Sequence, residues 1–152
     1  MFSSGKLFAA FAFLSICFLA PGCATVNAAG TGATAASTQA NKVVIQMSDA
    51  DPKKWALALN NAENVQEDLG KNNVEIEIVA YGPGIAMLKM DSEVSGRVGK
   101  AIASGVKIAA CENTMTKQKI PRSDIINGAI FVKAGVVELM QKQHEGFAYI
   151  RP

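Results

Sequence analysis

Residues 42–52, Lys42-Val43-Val44-Ile45-Gln46-Met47-Ser48-Asp49-Ala50-Asp51-Pro52, hold the pattern that decides the fold. The first six are apolar and β-branched with little alternation, as in a strand buried on both faces. Ser48 and Asp49 open a loop. Asp51 can then cap a helix, and Pro52 suits its first position because no N–H is needed there. Trp55, Leu59, Ala62 and Leu69 fall near one face of that helix, and Gly70 offers a stop. A buried strand running straight into an amphipathic helix is the first half of a β-α-β unit.

The pattern repeats downstream. Val74 to Ala80 predicts a second strand, in which Ile76, Ile78 and Ala80 alternate with Glu75 and Glu77, so one face near its start is wetter. Tyr81-Gly82-Pro83-Gly84 turns the chain, and residues 85–90 form a short strand or a loop. Asp91 or Ser92 caps a helix carrying Val94, Val98, Ala101 and Ile102 on one face, stopped by Gly105. Val106 to Ala110 is the third strand, with Cys111 at its end. Asn113 and Thr114 open a short helix that Pro121 terminates. A helical turn at 123–126, a strand at 129–132, a helix at 136–144 and a strand at 147–150 follow. Strands and helices alternating at these lengths predict an α/β fold with a largely parallel sheet covered on both faces.

Upstream of residue 42 the character changes. Lys6 is the only charged residue among the first forty, and Leu7 to Ala20 (LFAAFAFLSICFLA) is an uninterrupted apolar run broken by Pro21-Gly22. It falls short of the roughly 20 residues that span a bilayer and matches the core of a signal peptide. Residues 1–28 are therefore expected to be an export signal, cleaved before Ala29, which places the mature protein in the periplasm. A retained membrane anchor is the alternative. Leu19-Ala20-Pro21-Gly22-Cys23 also resembles a bacterial lipoprotein signal, although Ala20 is smaller than that pattern prefers, so a lipid anchor at Cys23 is a third outcome. Residues 29–41 are small and polar and form a flexible linker. Residues 42–152 are the domain.

Apart from Lys6, fourteen basic side chains face thirteen acidic ones, so the domain is nearly neutral. It lacks the basic stripe that nucleic-acid binding requires. One histidine, His144, and one cysteine outside the signal region make no metal-ligand cluster. Gly82-Pro83-Gly84 is no dinucleotide fingerprint, and the chain has neither a phosphate loop nor a nucleophile elbow.

In open α/β sheets, reactive groups gather at the carboxyl ends of strands. Three loops qualify: Ser48-Asp49, Tyr81 to Gly84, and Cys111 to Thr114. A thiol at a strand end before a helix start faces unpaired N–H groups and the positive end of a helix dipole, both of which favour thiolate. Glu112 opposes this with its own negative charge. The plainer alternative is a buried cysteine packing as a small hydrophobe.

Cys111-Glu112-Asn113-Thr114-Met115 resembles the C-x-N-T-[ML] motif of exported members of the DsrE family, whose fold is shared with the DsrE/DsrF/DsrH and TusBCD sulfur-transfer proteins. The ending from Gly135 to Pro152 (GVVELMQKQHEGFAYIRP) is similar to that family's ending, and Ser48-Asp49 with Trp55 also fits. The resemblance covers about residues 42–152. It implies a three-layer α/β/α sandwich around a five-stranded sheet, and assembly into homotrimers or homohexamers. It also implies that Cys111 accepts a sulfane sulfur as a persulfide and passes it to a partner thiol, with Asn113 and Thr114 orienting the loop. Such chemistry needs no metal or organic cofactor, only sulfur donors and acceptors. Ser48, Asp49, Tyr81 and Gly82 are the further candidate binding residues. The competing function is a non-catalytic assembly subunit with a structural cysteine.

Overall fold

In the computed structural model, which describes residues 41–152, five strands and four α-helices alternate. In chain order they are β1 (Asn41–Met47), α1 (Pro52–Leu69), β2 (Val74–Ala80), α2 (Ser95–Ala103), β3 (Lys107–Cys111), α3 (Glu112–Gln118), β4 (Ile130–Val132), α4 (Gly135–His144) and β5 (Ala148–Ile150). The sheet is parallel throughout, in the order β4-β3-β2-β1-β5. The expected signal peptide, its cleavage site, Cys23 and nearly all of the linker lie outside the described residues.

Strand order determines where the helices go. From β1 to β4 the chain steps steadily toward one edge, and from β4 it returns past three strands to place β5 beside β1. Right-handed crossovers in opposite directions land on opposite faces of a sheet. Accordingly α1 and α2 cover one face, where Ile45, Met47, Ile76, Ile78 and Ile108 meet Leu59, Ala62 and Val98. Full burial of each large aliphatic contributes about 1.5–3 kcal/mol. On the other face Val44, Val79 and Ala109 meet Leu139 of α4 and Phe147. This second core is much thinner.

Local chemistry sets the boundaries. The Asp51 carboxylate accepts the Lys53 N–H at 2.9 Å and caps α1, with Pro52 in its first turn. Leu69, expected on the buried face, is exposed, and Gln66 is buried in that register instead, bonded to Ser104. Residues 85–90 are not a strand. The chain from Gly82 to Leu88 winds as a 3-10 helix against the end of β1. It comes so close that a Cβ on Gly84 would sit 2.4 Å from the Met47 carbonyl oxygen. Glycine is needed there for close backbone approach. Neither Asp91 nor Ser92 is the cap of α2; Val94 holds that place.

Glu77 departs most from expectation. Strand alternation put it on a wetter face, yet only 1% of its side chain is exposed. It points toward α4, and the chain's return crossover covers it.

Candidate functional site

Cys111 ends β3, and the neighbouring strand β4 ends alongside it, with Cys111 opposite Val132. The connections after these two strands part company. The one after β3 enters α3, whose Met115 joins the larger core, while the one after β4 enters α4 on the opposite face. A crevice at such a switch point is where open α/β sheets bind ligands. Here two helix N-termini converge on one sulfur.

Cys111 keeps 5% of its surface exposed. Burial pushes its thiol up, but hydrogen bonds from the Thr114 hydroxyl and from the backbone N–H groups of Gly135, Thr114 and Asn113 outweigh it. The net value lies below the thiol's ordinary one. These donors stabilise thiolate over thiol. The Asn113 contribution is the smallest, and its N–H is also committed to the Lys133 carbonyl at 3.2 Å.

Thr114 is held in place from the next loop. Its Oγ1 accepts the Gly82 N–H at 2.9 Å, which leaves the hydroxyl proton for Cys111. The turn at Gly82, where φ is +53°, aims that N–H at Thr114. Gln118 donates to the Gly82 carbonyl at 3.0 Å, tying the same turn to the far end of α3. Tyr81 packs on Gly135: a Cβ there would meet the Tyr81 Cβ at 3.0 Å. The absent side chain lets the start of α4 settle against the loop after β2, close to the sulfur. Glu112 does little to oppose a thiolate, because its carboxylate is paired with Arg122, whose guanidinium also lies 4.2 Å from the centre of the Phe131 ring.

A model of the DsrE/DsrF-like family matches residues 33–152. The chain belongs to the DsrE/DsrF-like family. A protein of unknown function from Methanobacterium thermoautotrophicum is 37% identical, with a TM-score of 0.70 over 74% of this chain and 99% of that one. Two more distant structures share the fold. A conserved protein of unknown function from Bacteroides thetaiotaomicron is 19% identical, with a TM-score of 0.59 over 77% of this chain and 99% of its own. The ychN protein from E. coli is 18% identical, with a TM-score of 0.58 over 74% of this chain and 99% of its own. A search of curated proteins gives no match.

Within this DsrE/DsrF-like domain, Cys111, Thr114, Gly82 and Tyr81 form one cluster. The Asn113 side chain is exposed, and its residue joins the cluster only through its backbone. Ser48 and Asp49 spend their polar groups within the first loop. The Ser48 hydroxyl accepts from Gln46 at 3.0 Å, the Asp49 carboxylate pairs with Lys54 at 3.1 Å, and the Asp49 carbonyl accepts the Trp55 indole N–H at 2.7 Å. Gly135 was missed by sequence reasoning, which began that helix one residue later. A glycine shortly after a strand was the available signal, but its neighbour became evident only with the strand order.

Proposed function

We propose that this chain is an exported sulfur carrier in which Cys111 holds sulfane sulfur as a persulfide. The thiolate attacks the terminal sulfur of a polysulfide: a Cys–S–S⁻ bond forms, the adjacent S–S bond breaks, and the shortened polysulfide leaves with the electron pair. An acceptor thiolate then attacks the outer sulfur, becomes a persulfide itself and releases the Cys111 thiolate. Each step is a thiol–disulfide-type exchange that needs no metal or cofactor. Cys111 is the sole cysteine among residues 41–152, so the sulfur passes to a partner rather than to an internal thiol.

The observation that carries the reading is the donor cradle around Cys111, with its lowered thiol pKa. An added sulfur anion can use the same N–H groups. The apolar run Leu7–Ala20 supports export. The exposed side chains of Val136, Val137 and Met140 on α4 support self-association. The test is to incubate the chain with polysulfide and measure intact mass: one sulfur atom is gained by wild type and none by Cys111→Ser. No gain in wild type, or an equal gain in the variant, refutes the proposal.

The near-complete burial of Cys111 favours a second reading, a non-catalytic assembly subunit with a structural thiol. Slow thiol labelling in native buffer and fast labelling after denaturation would select it.

A further inference from the structure

Helix α4 meets the sulfur through its first N–H and a buried carboxylate through Glu138 and Lys142. Glu77 projects from β2 toward α4, and its Oε1 has no hydrogen-bond partner. Glu138 of α4 shares the Lys142 ammonium with that carboxyl, and its charge raises Glu77. Lys142 lies 3.8 Å from Glu77 and 3.7 Å from Glu138, and it holds Glu145 more closely, at 3.0 Å. The remaining charges on this face are committed elsewhere: Lys107 of β3 pairs with Glu75 at 2.6 Å, and Lys42 of β1 lies 5.4 Å from the Phe147 ring centre. Tyr149 of β5 donates to Gln46.

Three carboxylates therefore divide one close ammonium. Among the described residues no group of acidic, histidine or cysteine side chains is placed to hold a metal. A proton can fill the gap. Shared between the two carboxyls, it would supply the donor that Glu77 Oε1 lacks and remove one of two neighbouring like charges, one buried and one half-buried. The apolar hold of α4 on the sheet is slight, which makes this polar contact a large part of its docking.

We propose that a proton shared by Glu77 and Glu138 clamps α4 to the sheet, and that its loss loosens the helix and withdraws the Gly135 N–H from Cys111. Burial, with the neighbouring Glu138 charge adding to it, pushes Glu77 up to about 7, so the clamp responds near neutral pH. It governs any reaction of the thiol and does not depend on sulfur transfer.

Backbone amide exchange on the full chain, corrected for the intrinsic rate at each pH, tests this directly. From about pH 6 to about pH 8, protection of residues 135–144 falls about fivefold or more in wild type, the equilibrium equivalent of one hydrogen bond. It stays level in Glu77→Gln, whose amide keeps a donor toward Glu138 at every pH. In Lys142→Met the fall moves to higher pH, because the carboxylates lose their cation. Thiolate absorbance, taken as the difference between the chain and its Cys111→Ser variant, titrates broadly in wild type and as a single proton in Glu77→Gln. Level protection in wild type overturns the proposal, as does an equal fall in Glu77→Gln. A thiol shift with level exchange overturns it too, since the Glu77 field alone would produce that. Should Glu77→Gln fail to fold, Lys142→Met carries the comparison.

Discussion

Raising the pH through neutrality is expected to destabilise this domain, and Glu77→Gln to abolish that loss. Glu77 is raised in the folded state from 4.5 to about 7. A carboxyl shifted upward binds its proton more tightly when folded than when unfolded. Its stabilisation is thus complete below about pH 4.5 and is lost as the pH climbs through about 7. The two and a half pH units between those values, at about 1.4 kcal/mol each, come to roughly 3 kcal/mol. Other groups act in different windows or with the opposite sign. Glu75, lowered by its hydrogen bond from Lys107, matters only below 4.5, and Lys142, whose pKa is raised, only above 10.5. Cys111, being lowered, adds stability as the pH rises toward 9.0, so the measurement is made in a Cys111→Ser background. Urea unfolding from about pH 5 to about pH 8 should show the midpoint falling by about 1–3 M. With Glu77→Gln added it should stay nearly flat. A midpoint that holds or rises with pH in the parent, or the same decline once Glu77→Gln is added, would refute the reasoning.

Thr114→Val keeps the side-chain shape but removes the hydroxyl that accepts from Gly82 and donates to Cys111. It should cost about 1–3 kcal/mol in unfolding free energy and move the pH profile of Cys111 alkylation upward. Gly84→Ala forces a methyl against the Met47 carbonyl oxygen and the Ser48 nitrogen, at 2.4 and 2.9 Å. Both are backbone atoms, so the cost should reach about 3 kcal/mol or more, visible as a lowered thermal midpoint. Arg122→Met frees the Glu112 carboxylate beside the thiol, so alkylation at neutral pH should slow. Stability should barely change, because that ion pair is largely exposed.

The parallel sheet was legible because β1, β2 and β3 are apolar runs bounded by turn residues, and Cys111 was legible because it terminates one of them. The donors around its sulfur were legible only in part. Thr114 lies three residues along, but Gly135 comes from a different loop and reaches Cys111 only because β4 pairs with β3. Pairing order is a long-range property that hydrophobic periodicity does not encode. Glu77 illustrates the same limit. Alternation correctly set its side chain against Ile76 and Ile78, but whether that second face met water depended on where the β4–β5 connection returned. The segment from Gly82 to Leu88 was ambiguous for a local reason: its apolar residues pack on one side in a 3-10 helix, too short a stretch to show a period.

The edge strands β4 and β5 are each three residues long, and this bears on how the protein behaves when crowded. An incoming chain docking along either border would find few free amides and carbonyls before the strand ends, too few to seed a growing ribbon. Stubby borders of this kind guard against fibre formation at high expression. They also leave side-chain surfaces, rather than main-chain ladders, as the means by which copies of the domain can recognise one another.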